Sequence, residues 1–182
     1  MMLTTERLLL RDFVESDWKP VLAYQQHPLY LRYNEWTSRT AEDVRKFIQM
    51  FLDHQKQDPR FKFQFAITLR STGQLIGNCG VRKEAVDAQE ADIGYELDPA
   101  YWGRGYATEA ARAVLHFGFS QLKLHRISAW CVAENLGSAR VLEKLGMRLN
   151  GQLPNHLYYK NRWWDTRVYV ILHDEWQHGN LS

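Results

Sequence analysis

Asp92-Ile93-Gly94-Tyr95-Glu96-Leu97-Asp98-Pro99-Ala100-Tyr101-Trp102-Gly103-Arg104-Gly105-Tyr106-Ala107-Thr108-Glu109-Ala110 is the stretch on which the reading turns. With Ala91, its first half alternates apolar Ile93, Tyr95 and Leu97 with Asp92, Gly94, Glu96 and Asp98, a strand with two distinct faces. Pro99 ends it, having no N–H for a ladder. The second half is a tight loop with Gly103 and Gly105 that runs straight into a helix from Ala107 to about Leu122. The first N–H groups of any helix lack internal partners, and the helix dipole adds partial positive charge there. Gly103, Gly105 and Ala107 leave room for phosphate oxygens to approach, Thr108 offers a hydroxyl and Arg104 a cation, so a pyrophosphate is the natural guest. A Walker A loop would need Lys and then Ser or Thr after its last glycine. A dinucleotide fingerprint would follow the first strand and place Gly or Ala where Thr108 stands. Glycine used for turn geometry alone is the plain alternative.

Outward from this loop, strand and helix periods alternate along the whole chain. Arg7 to Phe13 reads as a strand, followed by a short helix from Asp17 to about Gln26 that Ser16 would cap. Thr40 and Asp43 form a capping box for a helix carrying Val44, Phe47, Ile48, Phe51 and Leu52. Phe63, Phe65, Ile67 and Leu69 mark a second strand, and Ser71-Thr72-Gly73-Gln74 turns it into a third, Leu75 to about Val86. The strand of Ala91–Leu97 is thus the fourth. A fifth, Arg126–Val132, precedes a helix from Asn135 that stops at Gly146. A strand, turn and strand close the chain, with Val168, Val170 and Leu172 alternating. The expected fold is mixed α/β: a mostly antiparallel sheet of about seven strands with about four helices, in one domain over 1–182.

Composition sets the outer limits. Hydrophobic residues make up 45% of 182 and charged residues 24%, within the globular range, and 23 basic against 21 acidic residues leave +2. No block of like charge points to nucleic acid or anionic lipid, and no apolar run approaches the ~20 residues of a membrane span. The start lacks the layout of a signal peptide. Cys79 and Cys131 sit in apolar stretches without metal spacing and read as reduced core residues, so a cytoplasmic protein without a metal is expected.

The segment Ile93–Leu97 through Trp102–Ala110 resembles the acyl-coenzyme A loop of the GNAT acetyltransferase superfamily, in particular its RimJ/RimL-like branch, which acetylates protein N-termini. A second block, Glu134-Asn135-Leu136-Gly137-Ser138-Ala139-Arg140-Val141-Leu142-Glu143-Lys144-Leu145-Gly146-Met147, resembles the next strand-to-helix segment of that family. Arg7–Arg11 and Trp164–Tyr169 are similar to it as well. The resemblance implies transfer of an acetyl group from acetyl-coenzyme A (acetyl-CoA) to a primary amine within a ternary complex, by a monomer or homodimer. It implies that Trp102, Gly103, Arg104, Gly105, Tyr106, Ala107 and Thr108 line the pyrophosphate, although the family more often carries Gln or Arg at the position of Trp102. Leu97 and Asp98 would pair with the pantetheine arm where the fourth and fifth strands splay, and Asn135, Ser138 and Lys144 complete the expected cofactor contacts.

Acyl transfer to an amine needs a neutral nucleophile, stabilisation of the developing oxyanion and a proton for the leaving thiolate. The tyrosine that many members use as the acid falls at Leu142, so Ser138 is the expected donor to sulfur. The glutamate base of RimL-like proteins falls at Leu157. Glu96, Asp92 and His156 remain as base candidates, beside a water chain with no single base. Tyr33, Trp36 and Tyr158, among seven rings in two segments, are the expected acceptor contacts, with core packing as the alternative. An acyl-CoA-binding sensor without catalysis is the rival function.

Overall fold

The structure is a computed structural model that describes residues 1–179. Its sheet has eight strands, β1 (Met2–Thr4), β2 (Leu8–Asp12), β3 (Lys62–Leu69), β4 (Leu75–Lys83), β5 (Glu90–Leu97), β6 (Arg126–Val132), β7 (Arg148–Tyr159) and β8 (Arg162–Leu172). The spatial order is β1-β2-β3-β4-β5-β6-β8-β7. Every neighbouring pair is antiparallel except β5 with β6. The six helices are α1 (Trp18–Gln25), α2 (Pro28–Leu31), α3 (Ala41–Gln55), α4 (Tyr106–Ser120), α5 (Leu136–Lys144) and α6 (His173–Gly179). The expected mixed sheet is present, with one more strand and two more helices than the sequence pattern yields. β1 is three residues long, α2 is a single turn, and α6 follows β8 directly, so none has room to display a period. The strands read from the sequence as fourth and fifth are therefore β5 and β6.

Strand alternation divides the core in two. Leu8 and Leu10 of β2, Phe63, Phe65 and Ile67 of β3, and Cys79 and Val81 of β4 face α4 and α5. On the opposite face Ala66 and Leu75 meet Val21 and Tyr24 of α1 and Val44, Ile48 and Phe51 of α3. Phe117 of α4 is the keystone of the first layer, buried to 1% exposure with its ring 5.0 Å from Phe63 and 5.9 Å from Phe65 in edge-on contact.

Local signals explain the start of α3 and both ends of α5. Thr40 Oγ1 accepts the Asp43 N–H and Asp43 accepts the Thr40 N–H, the capping box expected for α3. Asn135 Oδ1 accepts the Ser138 N–H at the start of α5, and Gly146 follows its end at φ +80°. Ser16 does not cap α1. It lies inside a single 3-10 turn, Glu15–Asp17, whose Asp17 carboxylate accepts the Val14 N–H and two N–H bonds from Arg11. Asp17 can pair with Arg11 as well as the backbone, which a serine cannot. Among the described residues no helix is long and apolar enough to cross a membrane.

One polar contact fixes α4 against β2. Glu109, in the first turn of α4, accepts from Thr5 Oγ1 at 2.6 Å, Arg7 N at 2.9 Å and Arg7 Nε at 2.6 Å. Arg7 Nη1 also donates to the Arg104 carbonyl at 3.0 Å, and its guanidinium lies over the Tyr106 ring. Burial alone would raise the Glu109 carboxyl, but the bonds from Thr5 and Arg7 outweigh it and hold the group below its ordinary value. A depressed carboxylate stabilises the fold fully above its unfolded value of about 4.5 and loses that contribution as pH falls through the lower folded value. Unfolding in urea between pH 3 and 7 is therefore expected to show Glu109→Gln clearly less stable than the parent above pH ~4.5, with the gap closing in more acidic buffer. Phe117→Ala should cost about 3–5 kcal/mol at neutral pH in the same measurement.

Candidate active site

β5 and β6 pair through Glu90↔Arg126, Ala91↔Ile127 and Asp92↔Ser128, and then part. β5 continues to Leu97 and β6 to Val132 without further bonds between them. Asp98 N donates back to Ile76 O at 2.7 Å. Hydrogen-bonding direction alternates along a strand, so the backbone N–H groups of Leu97 and Tyr95 face the gap. The Leu97 carbonyl in that gap accepts the indole N–H of Trp102 at 2.8 Å. Of the backbone expected to meet the arm, Leu97 keeps its N–H, whereas Asp98 gives its N–H to Ile76 O and its carbonyl accepts the Tyr101 N–H, because the chain turns away from the gap there. Trp102 is 45% exposed and covers the edge of β5 at this point.

The glycine loop closes one end of the gap. Gly103 and Gly105 have φ of +74° and +81°, a region that strains a residue with a Cβ. A Cβ on Gly103 would touch nothing within 4 Å, so backbone conformation and not crowding requires glycine there. Gly105 is the N-cap of α4 and supplies no side-chain cap. Glu109 N is the first helical amide to bond, to Gly105 O at 3.0 Å. The amides of Tyr106, Ala107 and Thr108 have no partner among the described residues and point out of the helix end. The Arg104 side chain lies over the Tyr101 ring with its guanidinium 5.6 Å from the centroid. Arg7, which the sequence reading did not single out, clasps this loop by its Arg104 carbonyl and the helix behind it by Glu109. A basic residue at a strand start carries no local sign of such a long-range role.

The residues expected to act at the thioester lie on opposite faces of β5. Tyr95 points toward α5, where its hydroxyl donates to Ser138 O at 2.9 Å and lies 3.0 Å from Ser138 Oγ. Burial raises the Tyr95 hydroxyl well above its ordinary value, so it stays protonated as a donor. Cys131 of β6 lies against the same serine, and burial raises its thiol as well. Cys79 is pushed up to about 12 by burial, and both cysteines are free and buried. Asn135 Nδ2 has no partner among the described residues, since only the oxygen of that amide is used in the cap. Lys144 is exposed at the far end of α5, about 9 Å along the axis from Ser138, and its carbonyl accepts from Arg112 of α4.

Glu96 points to the α1–α3 face. Its Oε1 accepts from Tyr24 Oη at 2.6 Å, Gln25 Nε2 at 2.8 Å and Asn78 Nδ2 at 2.6 Å, and its Oε2 from Tyr30 Oη at 2.6 Å. Four donors lock the carboxylate, and Oε2 keeps the free capacity. Asp92 on the same face is paired with Arg82. His156 lies on an exposed irregularity in β7, its Nδ1 2.8 Å from Thr166 Oγ1, which leaves Nε2 open. Leu157 pairs with Trp164, and Asp165 accepts the Asn155 N–H at 2.9 Å across the hairpin.

The two aromatic segments meet. The Tyr159 hydroxyl donates to Tyr33 O at 2.8 Å, the Tyr33 hydroxyl to Glu134 O at 3.1 Å, and Trp164 stacks on Tyr159 at 5.0 Å. These contacts make a wall between the start of α5 and the loop after α2. Trp36 packs against the α1–α3 core with Arg39 over its ring, and its buried indole N–H has no partner among the described residues. Tyr158 is 60% exposed against Trp163, in register opposite the inward pair Leu157 and Trp164, and so points away from Tyr33 and Trp36. Period-two alternation across a hairpin turns alternate rings outward, a split that the adjacent letters Tyr158-Tyr159 conceal. Among the described residues no cluster of His, Cys, Asp or Glu forms a metal site.

Known proteins share this fold. The acetyltransferase (GNAT) domain family matches residues 7–148. YnaD of Bacillus subtilis, described as an uncharacterized N-acetyltransferase, is 38% identical over 97% of this chain and 99% of its own. The crystal structure of a GNAT-family acetyltransferase from Bacillus anthracis superposes with a TM-score of 0.83 at 36% identity, covering 96% of this chain and 99% of the other. RimL, a ribosomal L7/L12 α-N-protein acetyltransferase solved with coenzyme A, shares the fold with a TM-score of 0.82 at 20% identity, over 96% of this chain and 99% of its own. The chain belongs to the GNAT acetyltransferase family and is an N-acetyltransferase.

Proposed function

We propose that this protein, as one domain over residues 1–182, transfers the acetyl group of acetyl-CoA to a primary amine in a direct ternary complex, in the manner of the RimJ/RimL-like branch. The observation that carries this reading is the parting of β5 and β6 beside the unpartnered amides of α4. The gap offers an edge of backbone groups to an amide-bearing arm, and the helix start offers donors and dipole to a diphosphate. RimL itself was solved with coenzyme A, and the family uses acetyl-CoA. Two free, buried cysteines suit a reducing compartment, the cytoplasm.

In this reading Gly103 to Thr108 bind the diphosphate, with Arg104 free to swing from Tyr101 toward it. Asn135 Nδ2 holds the arm, and Lys144 approaches its outer part. Bound acetyl-CoA supplies the acyl group and the leaving thiolate. The Leu97 N–H donates to the acyl oxygen as charge develops there. Tyr95 keeps its own proton on the Ser138 carbonyl, and Ser138 Oγ, 3.0 Å from that hydroxyl, turns its proton to the sulfur. Glu96, on the other face, holds the amine through Oε2, and its proton leaves to water or to His156 Nε2. Tyr33 and Trp36 flank the approach of the amine.

Two variants test the assignment. Gly105→Val forces a β-branched residue to φ +81° and should weaken acetyl-CoA binding at least tenfold by calorimetry; parental affinity removes the loop from the donor site. Ser138→Ala should lower kcat about tenfold or more with acetyl-CoA affinity nearly unchanged, measured by thiol release with a panel of amines and N-terminal peptides. Acetyl-CoA binding with no acetylation of any acceptor makes the protein an acyl-CoA sensor instead.

A further inference from the structure

A cavity of about 380 Å³ lies between α3 and the sheet, on the face of β5 that carries Glu96. Its floor follows from strand register. Three cross-strand rows run from β3 to β5: Lys62, Arg82 and Asp92; then Gln64, Gly80 and Gly94; then Ala66, Asn78 and Glu96. The missing side chains of the two glycines make room in the middle row for Gln64 Oε1, which a Cβ on Gly80 would meet at 2.1 Å, and for the Arg82 guanidinium, so this hollow is lined by polar groups. A Cβ on Gly94 would come within 2.6 Å of Arg82 Nη2, so the guanidinium reaches over that glycine into the hollow. Phe47, Met50 and Phe51 of α3 form an apolar roof.

The cavity is polarised. At one end stands the Glu96 carboxylate with capacity on Oε2. At the other stand Lys62, Arg82 and His54. Arg82 is neutralised by Asp92 and also donates to Gln64 Oε1 at 3.1 Å. Nearby Arg60 is paired with Asp12. Lys62 has no carboxylate within ion-pair range among the described residues; its ammonium lies 5.7 Å from the Phe61 ring. One positive charge is thus left over at this end. The same charges act on His54: burial first, then Lys62, Arg60 and Arg82, push its imidazole below the ordinary value, while Asp53 pulls the other way. Rows two residues apart are separated by about 7 Å along the strands, so the charged ends stand about 7–13 Å apart.

We propose that the acceptor is a zwitterion, a primary amine held at Glu96 whose single carboxylate, about 7–13 Å from the nitrogen, is held by Lys62 with Arg82 and His54. This rests on the acetyl-transfer reading and names its substrate class. An α-amino acid is too short to span the two ends. An ω-amino acid or a di- or tripeptide with a free C-terminus fits, because an extended chain advances about 3.3–3.6 Å per residue. The one surplus charge matches a monoanion.

The test uses the intact protein, acetyl-CoA and matched acceptors: 6-aminohexanoate against hexylamine, and free tripeptides against their C-terminal amides. The carboxylate member of at least one set should have a kcat/KM about tenfold higher (about 1.4 kcal/mol), carried by KM. Lys62→Met should bring the members within about twofold of each other and Lys62→Arg should keep them apart. The two sets separate small amino acids from peptides. Without acetyl-CoA, the carboxylate member should raise the His54 titration midpoint in NMR, and its neutral partner should not. Equal kcat/KM within both sets and an unmoved His54, with turnover present, overturn the zwitterion and leave acetyl transfer standing. A His54 response without turnover of any acceptor keeps the carboxylate site and overturns the acetyl-transfer reading.

Discussion

The parting of two parallel strands is the constraint on which the rest of the structure depends. A sheet interior normally pairs every backbone group, and an unpaired buried one costs about 1–3 kcal/mol. β5 and β6 stop pairing at Asp92 and Ser128, although β5 continues for five residues and β6 for four. The fold repairs part of the deficit with a side chain, the Trp102 indole on Leu97 O. The amides of Tyr95 and Leu97 are left as an edge in the middle of the sheet. An edge of this kind is a template for another extended chain of amides. In the proposed reading this internal edge, walled by α4 and α5, takes a narrow ligand and has no room for a second protein strand.

The same parting assigns chemistry to faces. Successive residues of β5 point to opposite sides, so Tyr95 and Glu96, adjacent in sequence, stand on opposite sides of the gap. Tyr95 engages Ser138 on the α5 side and Glu96 engages Tyr24, Tyr30, Gln25 and Asn78 on the α1 side. A donor entering from one side and an acceptor from the other would meet at the Leu97 N–H. A one-residue slip of β5 would exchange these roles, and the polar contacts of Glu96 with three separate elements oppose such a slip.

The letters of the chain disclose what is local. The period-two pattern of Ala91–Leu97, the glycines at φ above +70° and the cap formed by Asn135 all depend on neighbours within a few residues, and each is where the sequence places it. What depends on distant partners is silent. Arg7 and Glu109 lie far apart in the chain, and neither is exceptional in its local setting, yet together they hold the loop that faces the gap. Tyr158 and Tyr159 are indistinguishable as letters, and only the register with Trp163 and Arg162 separates the outward ring from the inward one. Glu96 was visible as a carboxylate on the right strand, but its four donors come from α1, α2 and β4 and no local pattern announces them.

Glu96 also bears on how an amine is handled. A general base needs an accessible lone pair and freedom to shed its proton again. Oε1 is committed to three donors, and the two tyrosines that hold the carboxylate have hydroxyls that burial and Glu96 itself raise far above their ordinary range, so they remain protonated donors. The arrangement therefore fixes a negative charge in place more effectively than it shuttles protons. Fixed charge attracts the ammonium form of an amine, and the nucleophile must then lose a proton to something else. In the proposed reading water or the open Nε2 of His156 takes that proton, so recruitment of the amine and its activation are divided between different atoms.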